Sequence, residues 1–130
     1  MKNELEVIDG VLPTIVNNGL GPVIKPLMKE IFLYETYIAG TTHIKDQSVF
    51  FDLEEDVSLI LQREAENKFD KYAIVVLNEN HEKLGYIPRT DNKIFARLMD
   101  AGKMLKGKVV VVFDMDYYWD VRIKIYMVDF

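Results

Sequence analysis

The alternation of apolar and polar residues near the carboxyl end limits the possible folds most strongly. Between residues 119 and 128, Val121, Ile123 and Ile125 are separated by polar or half-polar residues. A period of two places such residues on one face of a β-strand, whereas a helix would need a spacing of three or four. This segment therefore predicts a strand with one buried face, and other segments of the chain are also typical of short strands.

Six strands are expected, because β-branched and aromatic runs recur between turn signals. A change of period to Ile94, Phe95, Leu98 and Met99 predicts one helix, capped by Thr90 or Asp91 and ended by Gly102. Residues 46–56 predict a loop or short hairpin. The predicted strands are residues 35 to about 40, 57–63, 72–78, 83–88, 105–113 and 119–128.

This order predicts a mainly β fold with inserted helices, of the α+β class. Short, mostly antiparallel strands with a late helix favour a small OB-like antiparallel β-barrel or half-barrel of about six strands. Closing the sheet would remove its exposed edges.

Residues 1–35 differ from the rest and predict an apolar arm, leaving residues 36–130 as the domain. Three of the four prolines lie here, and Pro26 suits the first position of a helix that runs to Tyr34. The arm is too apolar for a free tail. We expect it to pack on the domain or on a second copy of the chain, which would make a homo-oligomer.

Composition narrows the class of protein. The chain has 130 residues, enough for one domain with its own core, and no cysteine, which excludes disulfides and thiolate metal sites. Its acidic start lacks the features of a signal peptide, and no apolar run is long enough for a membrane span, so a cytoplasmic location is expected. The net charge of −5 argues against coating duplex DNA by charge alone.

Signals for catalysis are weak, and we predict a non-catalytic protein without cofactor or metal. His43 and His81 do not have metal-ligand spacing, and no glycine-rich phosphate loop is present. A metal-dependent phosphodiesterase hypothesis would rest only on Asp114, Asp116 and Asp120, which are more typical of a turn.

Residues 61–89 carry the most informative motif. Arg-Glu-Ala-Glu-Asn-Lys-Phe-Asp-Lys-Tyr-Ala-Ile spans residues 63–74, and Gly-Tyr-Ile-Pro-Arg spans residues 85–89. Together with Gly-Thr-Thr-His at 40–43, this order resembles the HIRAN domain family over residues 36–113. Ala65 and Lys68 stand where the family has prolines, and Phe69 stands where it has tyrosine.

The resemblance implies an OB-like fold that grips single-stranded DNA at a free 3′-hydroxyl end, in DNA repair or processing. It implies that Asn67, Phe69 and Asp70 hold the terminal nucleotide, with the ring stacking on a base and the aspartate accepting from the hydroxyl. Tyr86 and Arg89 match contacts to the terminal base and a phosphate. Thr42 and His43 fall where DNA-gripping members place an arginine and an aromatic residue. A helicase or nuclease is the expected protein partner.

The chemistry of these residues gives a physical reason for the function that the resemblance implies. Sequence-neutral binding of a single strand combines aromatic stacking with a few cations on phosphates. Phe69, Tyr86 and His43 can stack. Arg63, Arg89 and Lys93 can contact phosphates. Asp70 would repel a phosphate but accept from a hydroxyl, which favours an unphosphorylated strand end.

Each of these residues also has a structural interpretation. Asn67 and Asp70 can cap the turn before a strand, Phe69 and Tyr86 can belong to the core, and His43 can be an ordinary surface histidine. Arg63 can pair with Glu64 or Glu66. The alternative function is a protein-interaction or self-association domain that keeps a vestigial DNA pocket.

Overall fold

The computed structural model describes residues 29–129, and Phe32–Met127 form one compact unit within them. In this part of the chain the structure has six strands and one α-helix, with two short 3-10 turns at Thr41–His43 and Gln47–Phe50. The strands and helix in chain order are β1 (Lys29–Tyr37), β2 (Ser58–Arg63), β3 (Ile74–Leu77), β4 (Lys83–Tyr86), α1 (Asn92–Asp100), β5 (Met104–Asp114) and β6 (Trp119–Asp129).

The six strands form one antiparallel sheet in the order β1-β6-β5-β2-β3-β4. Strand β2 lies near its middle: Leu61 pairs with Val76 of β3, and Leu59 pairs with Gly107 of β5. These pairs fix the register that turns the apolar positions of neighbouring strands to one side. The mainly β, OB-like prediction is confirmed.

The sheet is a half-barrel. Its two edges, β1 and β4, approach each other at a single point but do not pair along their length. Strand β1 continues through Ile38, whose amide donates to Val121 O of β6 at 3.0 Å. The next residue, Ala39, bridges β4 on the other side, with Ala39 N to Tyr86 O at 2.8 Å and Tyr86 N to Ala39 O at 2.9 Å. Two hydrogen bonds thus join the two edges of the sheet without closing it into a barrel.

Gly85 permits this approach of the two edges. Its φ is 153°, and a Cβ there would overlap the carbonyl oxygen of Ala39 and lie 2.6 Å from Ile38 Cγ2. Only glycine leaves this space empty and accepts this backbone conformation. The Gly-Tyr-Ile-Pro-Arg motif therefore begins with a residue that the fold requires.

The core lies on the concave side of the sheet, under α1 and the second 3-10 turn. Phe95 and Ala96 enter it from α1, and Phe50 enters it from the turn. Burying each large side chain contributes about 1.5–3 kcal/mol. Strand residues that are fully buried in this core are Leu59, Ile74, Val76, Leu84, Val109, Val121, Ile123 and Ile125.

The predicted helix from Pro26 to Tyr34 is wrong where it can be compared. Residues 29–34 belong to β1, because their aromatic and β-branched side chains fit a strand paired with β6. The strand predicted from residue 35 to near Gly40 corresponds to the end of β1 at Tyr37 and the bridge at Ala39, after which Gly40 adopts a left-handed φ of 77° and a 3-10 turn follows. Residues 46–56 contain a 3-10 turn capped by Asp46 rather than a hairpin.

The arm of residues 1–35 lies mostly outside the described residues, and its packing and self-association remain predictions. Strand β1 crosses residue 35, the boundary expected from the sequence. Among residues 29–129, no helix has the length and apolar character needed to span a membrane.

Candidate nucleic-acid interface

The loop between β2 and β3 is held by the side chains of two polar residues. Asn67 Oδ1 accepts from the amides of Phe69 at 2.8 Å and Asp70 at 3.0 Å. Asp70 Oδ1 accepts from the amide of Tyr72 at 2.9 Å. The capping role expected of Asn67 and Asp70 is therefore present, and it shapes a loop that lacks two prolines of the motif.

This loop presents Phe69 to solvent, and the residue is 85% exposed. An apolar ring this exposed does not belong to the core, so that alternative for Phe69 is wrong. Arg89 follows β4 and lies beside the ring: its Nη2 donates to Phe69 O at 2.9 Å, and its Nε lies 3.6 Å from Asp70 Oδ2. The Arg89 side chain remains 74% exposed, which leaves most of its donors available.

The Tyr86 side chain is held in place by hydrogen bonds between its hydroxyl and the side chains of Glu64 and Lys83. Its hydroxyl donates to Glu64 Oε1 at 2.7 Å and accepts from Lys83 Nζ at 2.9 Å. Burial raises the pKa of Glu64, but hydrogen bonds from Tyr86 and Asn67 and the charge of Lys83 outweigh it, so the pKa lies below its usual range. Sequence reasoning missed Glu64 as a support, although it belongs to the Arg-Glu pair of the motif.

Asn92 is the second support that the sequence did not indicate. It is the first residue of α1 and only 2% exposed, and its Nδ2 donates to Asp70 Oδ2 at 2.8 Å. The helix thereby orients the Asp70 carboxylate. A carboxylate has about four acceptor positions, so Asp70 can accept a further hydrogen bond from a ligand.

These residues surround one open groove of about 300 Å³. Five of the predicted site residues meet there: Asn67, Phe69, Asp70, Tyr86 and Arg89. Small or apolar residues complete its wall, namely Ala39, Gly40, Ala73 and Ile87. The groove thus combines a flat apolar surface, an oriented carboxylate and an exposed guanidinium.

Arg63 lies elsewhere and is almost buried, with 14% of its side chain exposed. Its Nη1 donates to Ala73 O at 2.7 Å, and its Nη2 donates to Lys71 O at 3.0 Å. Its Nε and Nη2 also donate to the Asp100 carboxylate, which lowers the pKa of Asp100. The partner is Asp100 at the end of α1, rather than Glu64 or Glu66.

The other three predicted residues do not line the groove. Lys93 Nζ lies 5.6 Å from the ring centroid of Tyr72, and Lys71 Nζ lies 5.2 Å from it. Thr42 and His43 are exposed on the 3-10 turn that follows Gly40, so they lie at the border of the groove. A Cβ on Gly40 would lie 3.8 Å from His43 Cδ2.

Acidic and histidine side chains give no sign of a metal centre in the described part of the chain. No group of three or more such residues between 29 and 129 is placed to hold an ion. Asp114 instead caps its own turn, since Asp114 Oδ1 accepts from Asp116 N at 3.0 Å.

Comparison with known proteins agrees with this fold and motif. The family model of the HIRAN domain matches residues 31–127, and the chain belongs to that family. A crystal structure of a protein from Lactobacillus plantarum is similar, with 29% identity and a TM-score of 0.74 over 79% of this chain and 99% of that one.

The crystal structure of the HIRAN domain of human HLTF has 19% identity and a TM-score of 0.61. It covers 76% of this chain and 78% of that chain, which supports the fold alone. No curated protein matches the chain.

Proposed function

We propose that this chain is a non-catalytic module that grips single-stranded DNA at a free 3′-hydroxyl end, in DNA repair or processing. The observation that carries the proposal is the groove in which Phe69, Asp70, Tyr86 and Arg89 meet. The resemblance to the family implies such a function, and the residues that the motif indicated lie together in the groove.

The exposed Phe69 ring supplies the stacking surface. An apolar residue that is 85% exposed gains little from burial on folding, whereas stacking of a base on its ring contributes about 1–3 kcal/mol. Tyr86 supplies a second, half-buried ring whose orientation is fixed by Glu64 and Lys83. Together they favour unpaired bases, because paired bases are already stacked in a duplex.

Asp70 and Arg89 define which end of the strand would fit. The Asp70 carboxylate, oriented by Asn92, accepts a hydrogen bond from a hydroxyl and repels a terminal phosphate. Arg89 lies next to it and remains exposed, so it can contact the phosphate that links the last two nucleotides. A strand end with a free hydroxyl and an adjacent internal phosphate therefore suits both the Asp70 carboxylate and the Arg89 guanidinium.

Fluorescence anisotropy with 5′-labelled oligonucleotides tests the proposal. A 3′-phosphate should weaken binding about tenfold or more, because it adds a like charge beside Asp70. Phe69→Ala should lose affinity by about fivefold or more. Asp70→Asn should reduce the discrimination between the two ends, whereas the exposed Asp52→Asn, with the same change in charge, should leave it intact.

Equal affinity for hydroxyl and phosphate ends would contradict the end preference. Failure to bind any single strand at low salt would contradict the proposal as a whole. Thermal unfolding of each variant checks that the loop capped by Asp70 remains folded.

A further inference from the structure

The convex face of the sheet at β1 and β6 carries side chains that the groove does not use. Val121, Ile123 and Ile125 are fully buried in the core. Successive side chains of a strand point to opposite faces, so Arg122 and Lys124 lie on the convex side. Tyr37 lies between the buried Thr36 and Ile38 and is 42% exposed.

Cations and aromatic rings alternate across this face. Arg122 lies 5.7 Å from the ring centroid of Tyr37, and Lys124 lies 5.7 Å from that of Phe32. Phe32 is 52% exposed, and its ring packs edge to face on that of Tyr126, with 5.9 Å between the ring centroids. We name the surface formed by Phe32, Tyr37, Arg122, Lys124 and Tyr126 the outer aromatic face.

The outer aromatic face begins where the groove ends. Tyr37 lies two residues before Ala39 in the chain. Ala39 lines the groove and forms the bridge to Tyr86. The backbone is extended here, since Ile38 bonds to β6 and Ala39 bonds to β4. A chain-like ligand that leaves the groove past Ala39 therefore meets Tyr37 and Arg122 next.

Acidic and basic side chains share strands β1, β5 and β6, so an anionic ligand would use the cations that lie beside the rings rather than a net positive charge. The carboxylates on these strands are Glu30, Glu35, Asp114, Asp120 and Asp129, and Asp120 Oδ1 lies 3.2 Å from Arg122 Nε. The cations that lie beside rings of the outer aromatic face are Lys108, Arg122 and Lys124. A ligand with both flat faces and phosphates can use rings and cations together.

We infer that the outer aromatic face carries the body of the single strand whose 3′ end sits in the groove. The strand would run from Ala39 along β1 and β6, with bases on Tyr37 and Phe32 and phosphates near Arg122 and Lys124. This inference rests on the proposed end-gripping function and adds the path of the preceding nucleotides.

The test compares oligonucleotides of three and ten nucleotides, both 5′-labelled and with a 3′ hydroxyl. Wild type should bind the longer one about tenfold or more tightly. Arg122→Gln/Lys124→Gln should remove most of this gain and lower the salt slope for the longer strand by about 1.4, because two phosphate contacts are lost. Tyr37→Ala should weaken only the longer strand, by about fivefold.

A matched control removes two exposed lysines elsewhere. Lys45→Gln/Lys103→Gln has the same net charge as the double variant and should keep the gain with length. If the control loses the gain equally, or if Arg122→Gln/Lys124→Gln keeps it, the path is refuted while binding of the three-nucleotide end still supports the groove. If the shorter strand does not respond to Phe69→Ala or Arg89→Gln, the end-gripping function itself fails.

Discussion

Two arginines flank the same loop and have opposite surroundings. Arg63 precedes the loop, is 14% exposed and donates to two backbone carbonyls and both oxygens of Asp100. Arg89 follows the loop and β4, is 74% exposed and makes one hydrogen bond and one looser pair with Asp70. Both were expected from the sequence to contact phosphates.

The difference separates residues that build the loop from residues that remain available to a ligand. Arg63 connects β2, the end of the loop and the end of α1, so its hydrogen bonds are already used. Arg89 is positioned by Phe69 and Asp70 but keeps free donors. The region around the groove therefore has a structural side, which includes Arg63 and Gly85, and a proposed recognition side, which includes Arg89 and Phe69.

The largest effect is expected on the structural side, from Gly85→Ala. The added Cβ overlaps Ala39 O in a backbone conformation that alanine disfavours. We expect a loss of about 3 kcal/mol or more in the free energy of unfolding. Urea denaturation measures it, and Gly102→Ala serves as a control, because a Cβ there meets nothing within 4 Å although its φ is also positive.

Arg63→Gln should lower the free energy of unfolding by about 2–3 kcal/mol, because it removes several charge-assisted hydrogen bonds. Arg63→Lys should restore only part of this loss, since an ammonium cannot reproduce the planar fork. Affinity for a single strand, measured where each variant is folded, should change little. A variant that is stable but binds poorly would place Arg63 on the recognition side.

Arg89→Gln should show the reverse pattern. Affinity for the strand end should fall about tenfold, which corresponds to about 1.4 kcal/mol. The free energy of unfolding should change by less than about 0.5 kcal/mol, as is usual for exposed positions. The comparison of the two arginines breaks down if this variant loses as much stability as Arg63→Gln does.

Glu64→Gln should give the smallest effect, visible as a pH dependence. The pKa of Glu64 in the folded protein is lowered from its ordinary 4.5, so the ionised group stabilises the fold above that pH. This contribution is lost as the pH falls through the lowered pKa. The difference in Tm between wild type and variant should therefore shrink below about pH 4.5, and a constant difference would contradict the assigned role.

The sequence predicted the strand pattern and the loop motif because both depend on local features. Alternation placed Val121, Ile123 and Ile125 in the core, and the motif indicated five of the residues that line the groove. The partners were beyond local reasoning: Asp100 lies 37 residues after Arg63, and Asn92 lies 22 residues after Asp70. Strand β1 was mistaken in part for a helix because its pairing with β6 outweighs the signal of Pro26.

The bridge between Ala39 and Tyr86 has a consequence for motion. Because only these two hydrogen bonds form the bridge, the bridge can open without unfolding the central strands. The amides of Ala39 and Tyr86 should therefore exchange with deuterium faster than those of β2. A ligand that packs against Tyr86 would keep the bridge formed. Slower exchange at these two amides would then report occupancy of the groove, with the amides of Leu61 and Val76 as an internal reference.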